Sequence, residues 1–61
     1  MTRLEVAQKL KQVRAAAGVS QRVAAEAIGS SQQTLGSWET GVSQPDIDTL
    51  MRLLRYYNAS A

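Results

Sequence analysis

The sequence predicts an all-α domain of four helices, and three observations carry that expectation. Apolar residues recur three or four positions apart in four separate stretches, the spacing that gives a helix one inward face. A single proline and four glycines punctuate the chain, and Gly18, Gly29 and Gly41 fall at the joints between those stretches. A Thr, Ser or Asp precedes each stretch, where its side-chain oxygen can accept a bond from an otherwise unpaired helical N–H. At 61 residues there is room for one modest core, so residues 1–61 are read as one domain.

The first helix is expected from about Arg3 to Ala17. Thr2 stands three residues before Glu5, a capping-box spacing, and Val6, Leu10, Val13 and Ala17 form the inward stripe before Gly18 ends it. Arg3, Lys9 and Lys11 lie off that stripe on a solvated face, whereas Arg14 sits beside it near the helix end. Residues 20–40 then read as two short helices folded across a tight turn. Ser20 caps the first, Gly29 closes it in the left-handed conformation, and Ser31 caps the second. Ala24, Ala27 and Ile28, then Leu35 and Trp38, are the inward positions, and the small Ala25 lets two steeply crossed helices approach. Trp38 is read as core because it shares the Leu35 face. This is a helix-turn-helix pattern. Its second helix turns Gln32, Gln33, Gly36, Ser37 and Thr40 outward, a polar and uncharged face.

Gly41 ends that helix, and residues 42–45 connect to a fourth. Asp46 is its expected N-cap, and Asp48 places negative charge in the first turn, where the helix dipole favours it. Ile47, Leu50, Met51, Leu54 and Tyr57 are drawn as the inward side, with Asn58 as a left-handed C-cap.

Composition removes several functions. There is no cysteine and no histidine, so disulfides and the commonest zinc sites are excluded. The acids are scattered over separate helices, and no nucleophile–base pair or carboxylate dyad suggests itself. No catalytic residue, metal, cofactor or small-molecule substrate is assigned, and the chain is read as a non-enzyme. No apolar run approaches a membrane span and the N-terminus lacks a signal-peptide core, which is compatible with the cytoplasm. Seven Lys and Arg against five Asp and Glu leave a net charge of +2, which permits nucleic-acid binding without arguing for it.

The run LKQVRAAAGVSQ, then AAEAIG, SSQQTLGSWETG and QPDIDTL, resembles the Cro and lambda-repressor (XRE-type) family of helix-turn-helix DNA-binding domains. The resemblance spans roughly Leu10 to Ser60, and W-E-x-G followed by proline is its most specific part. SSQQTL is similar to the recognition helix of the phage 434 repressor, which also carries adjacent glutamines. The likeness implies a transcriptional regulator, a repressor by analogy, that binds duplex DNA sequence-specifically with residues 31–40 in the major groove. It implies that Gln32, Gln33 and Ser37 read bases, and that Gln21 grips a phosphate while bracing Gln32. Arg22, Ser31, Thr40 and Ser43 complete the expected phosphate contacts, and Arg14 pairs with Glu39 as a structural link. The family also implies a cytoplasmic protein on the nucleoid of a bacterium or phage-infected cell.

Four departures qualify the likeness. Ala24 stands where the family commonly places a larger aliphatic side chain, which predicts a thin core beside the motif. Val42, Ser43 and Gln44 are neutral where the family often carries Lys or Arg. Gly36 costs the recognition helix about 1 kcal/mol relative to alanine. The sequence ends at Ala61, where a fifth helix often begins in the family, so a truncated five-helix form is the alternative architecture. Without that helix, Leu53, Tyr56 and Ala59 are expected to form a small uncovered surface. Such a surface supports a weak, DNA-assisted homodimer on a two-fold symmetric operator. The rival function is a small helical interaction module, the partner of a toxin or of another regulator, which would expose a contiguous apolar patch.

Overall fold

The computed structural model of the chain describes residues 2–60, the side chain of Ser60 excepted. Four helices follow in order: α1 (Arg3–Ala17), α2 (Gln21–Ala27), α3 (Gln32–Thr40) and α4 (Ile47–Ser60). No strand occurs among the described residues, and no helix there is long and apolar enough to cross a membrane.

Local chemistry sets the helix ends. Thr2 Oγ1 accepts from the Glu5 N–H at 3.2 Å while Glu5 Oε1 accepts from the Thr2 N–H at 2.9 Å, so two orphan donors at the start of α1 are satisfied reciprocally. Ser20 Oγ accepts from the Val23 N–H at 3.2 Å and Ser31 Oγ from the Thr34 N–H at 3.1 Å, capping α2 and α3. The turn between them depends on Gly29, whose φ of 72° strains any residue with a Cβ. There the Ser30 N–H reaches the Ala25 carbonyl at 2.8 Å and the Gly29 N–H reaches the Glu26 carbonyl at 3.2 Å. Those two bonds close the carbonyl end of α2 and fix the direction in which α3 leaves. At the start of α4 the Asp46 carbonyl accepts from the Leu50 N–H at 2.9 Å.

The core is Leu10 of α1, Ala24, Ala25 and Ile28 of α2 and its turn, Leu35 and Trp38 of α3, and Leu53 and Tyr57 of α4. Val6, Val13, Ala17, Val19, Leu50 and Tyr56 pack around it half-buried. Because Ala24 and Ala25 are both fully buried, α2 lies close to its neighbours with little side chain between.

Three sequence expectations are corrected here. The inward face of α4 is rotated: Ile47 is 69% exposed and Met51 44% exposed, whereas Leu53 is fully buried. At about 100° per residue, placing Tyr57 inward puts Leu50 and Leu53 within about 40° of it, but Ile47 about 80° and Met51 about 120° away. The same geometry exposes Ala27, which falls about 100° from the centre of the Ala24–Ala25–Ile28 seam. Asn58 is no cap, since α4 runs on to Ser60 and no described non-glycine residue has positive φ. Ala59, a strong helix former, favours continuation past Asn58.

Candidate nucleic-acid interface

The N-terminal turn of α3 carries the exposed polar face. Ser31 uses its hydroxyl within the cap, accepting from the Thr34 N–H and donating to Thr34 Oγ1 at 2.8 Å. Thr34 is thereby tied to the cap, a role that the Ser31–Thr34 spacing allowed but that sequence reading did not assign. Gln32 and Gln33 follow the cap, both exposed, and neither side chain has a hydrogen-bond partner among the described residues. Their backbone N–H groups also precede the first intrahelical bond, at Leu35 to Ser31. Two free amides, each able to donate and accept, therefore stand at the positive end of a helix.

The C-terminal half of α3 is chemically closed. Ser37 is half-buried, and its hydroxyl donates to the Thr34 carbonyl at 2.7 Å. Its single proton being spent there, the 2.7 Å contact with Ser43 makes Ser43 the donor. The Ser37 carbonyl in turn accepts from the N–H groups of Gly41, Val42 (3.1 Å) and Ser43 (3.3 Å), and from the Thr40 hydroxyl at 3.3 Å. Gly41, at φ 84°, folds the chain back so that these donors converge. The hydroxyl hydrogens of Thr40 and Ser43, expected from the sequence to reach phosphate, thus point at Ser37, as do the N–H groups of the turn.

Beneath this face lies a buried polar cluster. Glu39 is 3% exposed. Its Oε2 accepts from Arg14 Nε at 2.7 Å, and its Oε1 accepts from Arg14 Nη2 at 3.1 Å. Arg14 Nη1 also donates to the Val19 carbonyl at 2.9 Å, so the guanidinium joins α1, the α1–α2 turn and α3. Hydrogen bonding to Glu39 raises the Arg14 pKa further above its ordinary value. Gln21 belongs to the same cluster: its Nε2 donates to Glu39 Oε1 at 3.1 Å, and no bond joins it to Gln32 among the described residues. Eighteen positions separate Gln21 from Glu39, and no spacing rule connects them. The Tyr57 hydroxyl is buried beside the pair without a hydrogen-bond partner. Its pKa is pushed up to about 12, mainly by burial and then by the charge of Glu39. Arg22, one residue beyond Gln21, is exposed.

The surface expected from Leu53, Tyr56 and Ala59 does not form. Leu53 is fully buried and Tyr56 is half-buried against the core, its ring 5.8 Å from that of Tyr57, so Ala59 is the exposed member. An open, apolar groove of about 230 Å³ lies instead between α1 and α4, lined by Val6, Lys9, Leu10, Leu50 and Leu54.

The helix-turn-helix family model matches residues 10–61 of the chain. A curated relative, described as the HTH-type transcriptional regulator ImmR of Bacillus subtilis (strain 168), is 35% identical over 57 residues. The matched stretch covers 93% of this chain and 45% of the relative, so the chain spans about half the relative's length. No solved structure matches the chain.

Proposed function

The chain belongs to the helix-turn-helix family, and from that premise we propose that it is a transcriptional regulator binding duplex DNA sequence-specifically, with α3 in the major groove. One observation carries this reading. On α3 the side chains of Ser37, Glu39 and Thr40 are committed internally and Thr34 accepts from the Ser31 hydroxyl, leaving the two amides of Gln32 and Gln33 and the hydroxyl hydrogen of Thr34 unspent. Glutamine can pair with adenine N6 and N7 in bidentate fashion, and in this motif bases are read from the N-terminal part of the helix. Gln32 and Gln33 are therefore the base readers. Ser37, whose proton is committed to Thr34, contributes as an acceptor or as a brace for the turn.

Gln21 and Arg22 supply the phosphate contacts from α2, and the Gln32 and Gln33 N–H groups supply them from the start of α3. Thr40, Ser43 and the Ser31 hydroxyl reach phosphate only by exchanging the internal bonds described above, whereas the Ser31 backbone N–H is uncommitted among the described residues. Of these groups Arg22 alone carries a full charge, so one copy has a shallow salt dependence and weak non-specific binding. We propose that the free protein is mainly monomeric, and that two copies bind cooperatively on half-sites about one helical turn apart. A repressor role follows from analogy with the family, as does a place on the nucleoid.

Selection of binding sites from random duplex DNA tests the reading. The expected result is enrichment of a short two-fold symmetric sequence. Recovery of random sequence would favour the rival reading, in which the groove between α1 and α4 holds a protein segment.

A further inference from the structure

Glu39 accepts three hydrogen bonds in a site closed to water, and the third, from Gln21, is not needed to neutralise it. The guanidinium of Arg14 already binds both carboxylate oxygens. An ionised carboxylate accepts and cannot donate, so the Gln21 amide faces it through nitrogen, which fixes which end of that amide is which. The amide lies across Gly36, where a Cβ would sit 3.9 Å from both Nε2 and Oε1. It is thus held flat against the backbone of α3 by a bond at one end and a bare helix surface beneath. Nε2 has two hydrogens about 120° apart. One is on Glu39, and the other has no partner among the described residues.

We propose that Glu39 is a positioning residue for the DNA backbone: it holds the Gln21 amide so that the second N–H donates to a phosphate. Arg14, Glu39 and Gln21 then form a chain of hydrogen bonds from α1, through α3, to the DNA surface. Cancellation of the Glu39 charge by Arg14 allows an acid to sit under a phosphate contact without repelling it. The inference rests on the DNA-binding reading above and adds to it a role for a buried residue that touches no DNA.

The test follows the side-chain amide of Gln21 by NMR in the ¹⁵N-labelled protein, free and with a mixed-sequence duplex at low salt. A phosphate contact does not depend on sequence, so any duplex serves. In the free protein one Nε2 proton should exchange slowly; on adding duplex it should keep its shift while the second proton moves. Loss of the protected proton on binding would mean that Gln21 leaves Glu39 to reach DNA, and would overturn the proposal. Movement of neither proton, with α3 resonances shifting, would overturn it as well. If no α3 resonance moves at any concentration, the DNA-binding reading itself fails, and this role for Glu39 fails with it.

Affinity gives a second arm. Gln21→Leu should weaken duplex binding about tenfold, the size of one hydrogen bond to a charged group. The salt slope should not change, because no charge is lost. In a Glu39→Met background, which removes the acceptor, the same substitution should add little further loss. Undiminished binding by folded Gln21→Leu, or equal losses in both backgrounds, would contradict the positioning role. Should Glu39→Met cost the fold, the NMR arm on the native protein decides.

Discussion

Helices α3 and α4 pack on the same core by different means. α3 brings two large apolar side chains inward, Leu35 and Trp38, and its rotation is set by the bonds that leave the helix, Glu39 accepting from Arg14 of α1 and from Gln21 of α2. α4 has apolar side chains to spare. Leu53 and Tyr57 are buried, Leu50, Leu54 and Tyr56 are half-buried, and Ile47 and Met51 face out. A hydrogen bond weakens steeply with misalignment, whereas apolar burial counts area and is indifferent to direction. The buried Glu39 bonds therefore leave α3 little freedom of rotation. By contrast α4, tied to the end of α2 by a bond from Arg52 Nη2 to the Ile28 carbonyl at 3.2 Å, is placed mainly by which large residues win the interior.

The contrast can be broken most forcefully on α4. Leu53→Ala should cost about 3 kcal/mol in chemical denaturation, because it leaves a hole in a packed interior. Ile47→Ala, on the same helix, should stay within about 0.5 kcal/mol. Equal losses at the two positions would mean that α4 has no preferred inward face.

Next in size is the tie between α1 and α3. Arg14→Met keeps the stem but strands a buried carboxylate on Gln21 alone, and should lower stability by about 2–3 kcal/mol. That is the low end for buried pairs, since the Arg14 side chain is 19% exposed. A domain of 61 residues has only some 3–9 kcal/mol in total, so the thermal midpoint should fall visibly without DNA present. An unchanged melt would show that apolar contacts alone orient α3.

Gly36→Ala should act in the opposite sense. The added Cβ would meet the Gln21 amide at 3.9 Å, an ordinary contact, so the helix should gain about 0.5–1 kcal/mol from the lost glycine entropy. Destabilisation would reveal a steric demand at this position.

The smallest effect is expected at Tyr57. Its buried hydroxyl has no partner, so Tyr57→Phe should be neutral or stabilising by up to about 1 kcal/mol. Because the folded pKa is raised from 10.0 to about 12, this group's contribution is fully present below pH 10 and is lost as pH rises toward 12. Arg14, Glu39 and Tyr56 are the charged and titratable groups acting on it. The stability of the native protein should therefore fall more steeply between those values than that of the Phe variant, as followed by pH-jump denaturation.

Much of the fold was legible because its ends are marked by local chemistry. Thr2, Glu5 and Gly18 delimit α1 at Arg3–Ala17, and Ser20, Gly29 and Ser31 mark the turn of the helix-turn-helix. The face of α4 was not legible, since Ile47, Leu50, Met51, Leu53 and Leu54 allow overlapping stripes and only the position of Tyr57 in the core selects one. In the candidate site, the exposure of Gln32 and Gln33 could be read from periodicity. Whether a hydroxyl is free could not. Ser37, Thr40 and Ser43 look alike in sequence, and their protons are committed by a turn geometry that appears only in three dimensions. The bond from Gln21 to Glu39 was hidden for the same reason: it joins residues of two helices that only packing brings together.

The central claim is that α3 reads bases through its two unspent amides. Its most direct test measures Gln32→Ala and Gln33→Ala on the selected site and on random duplex, under the same salt. Each substitution should cost about 1–3 kcal/mol on the selected site and almost nothing on random sequence. Equal losses on the two duplexes, or none on either, would contradict the claim.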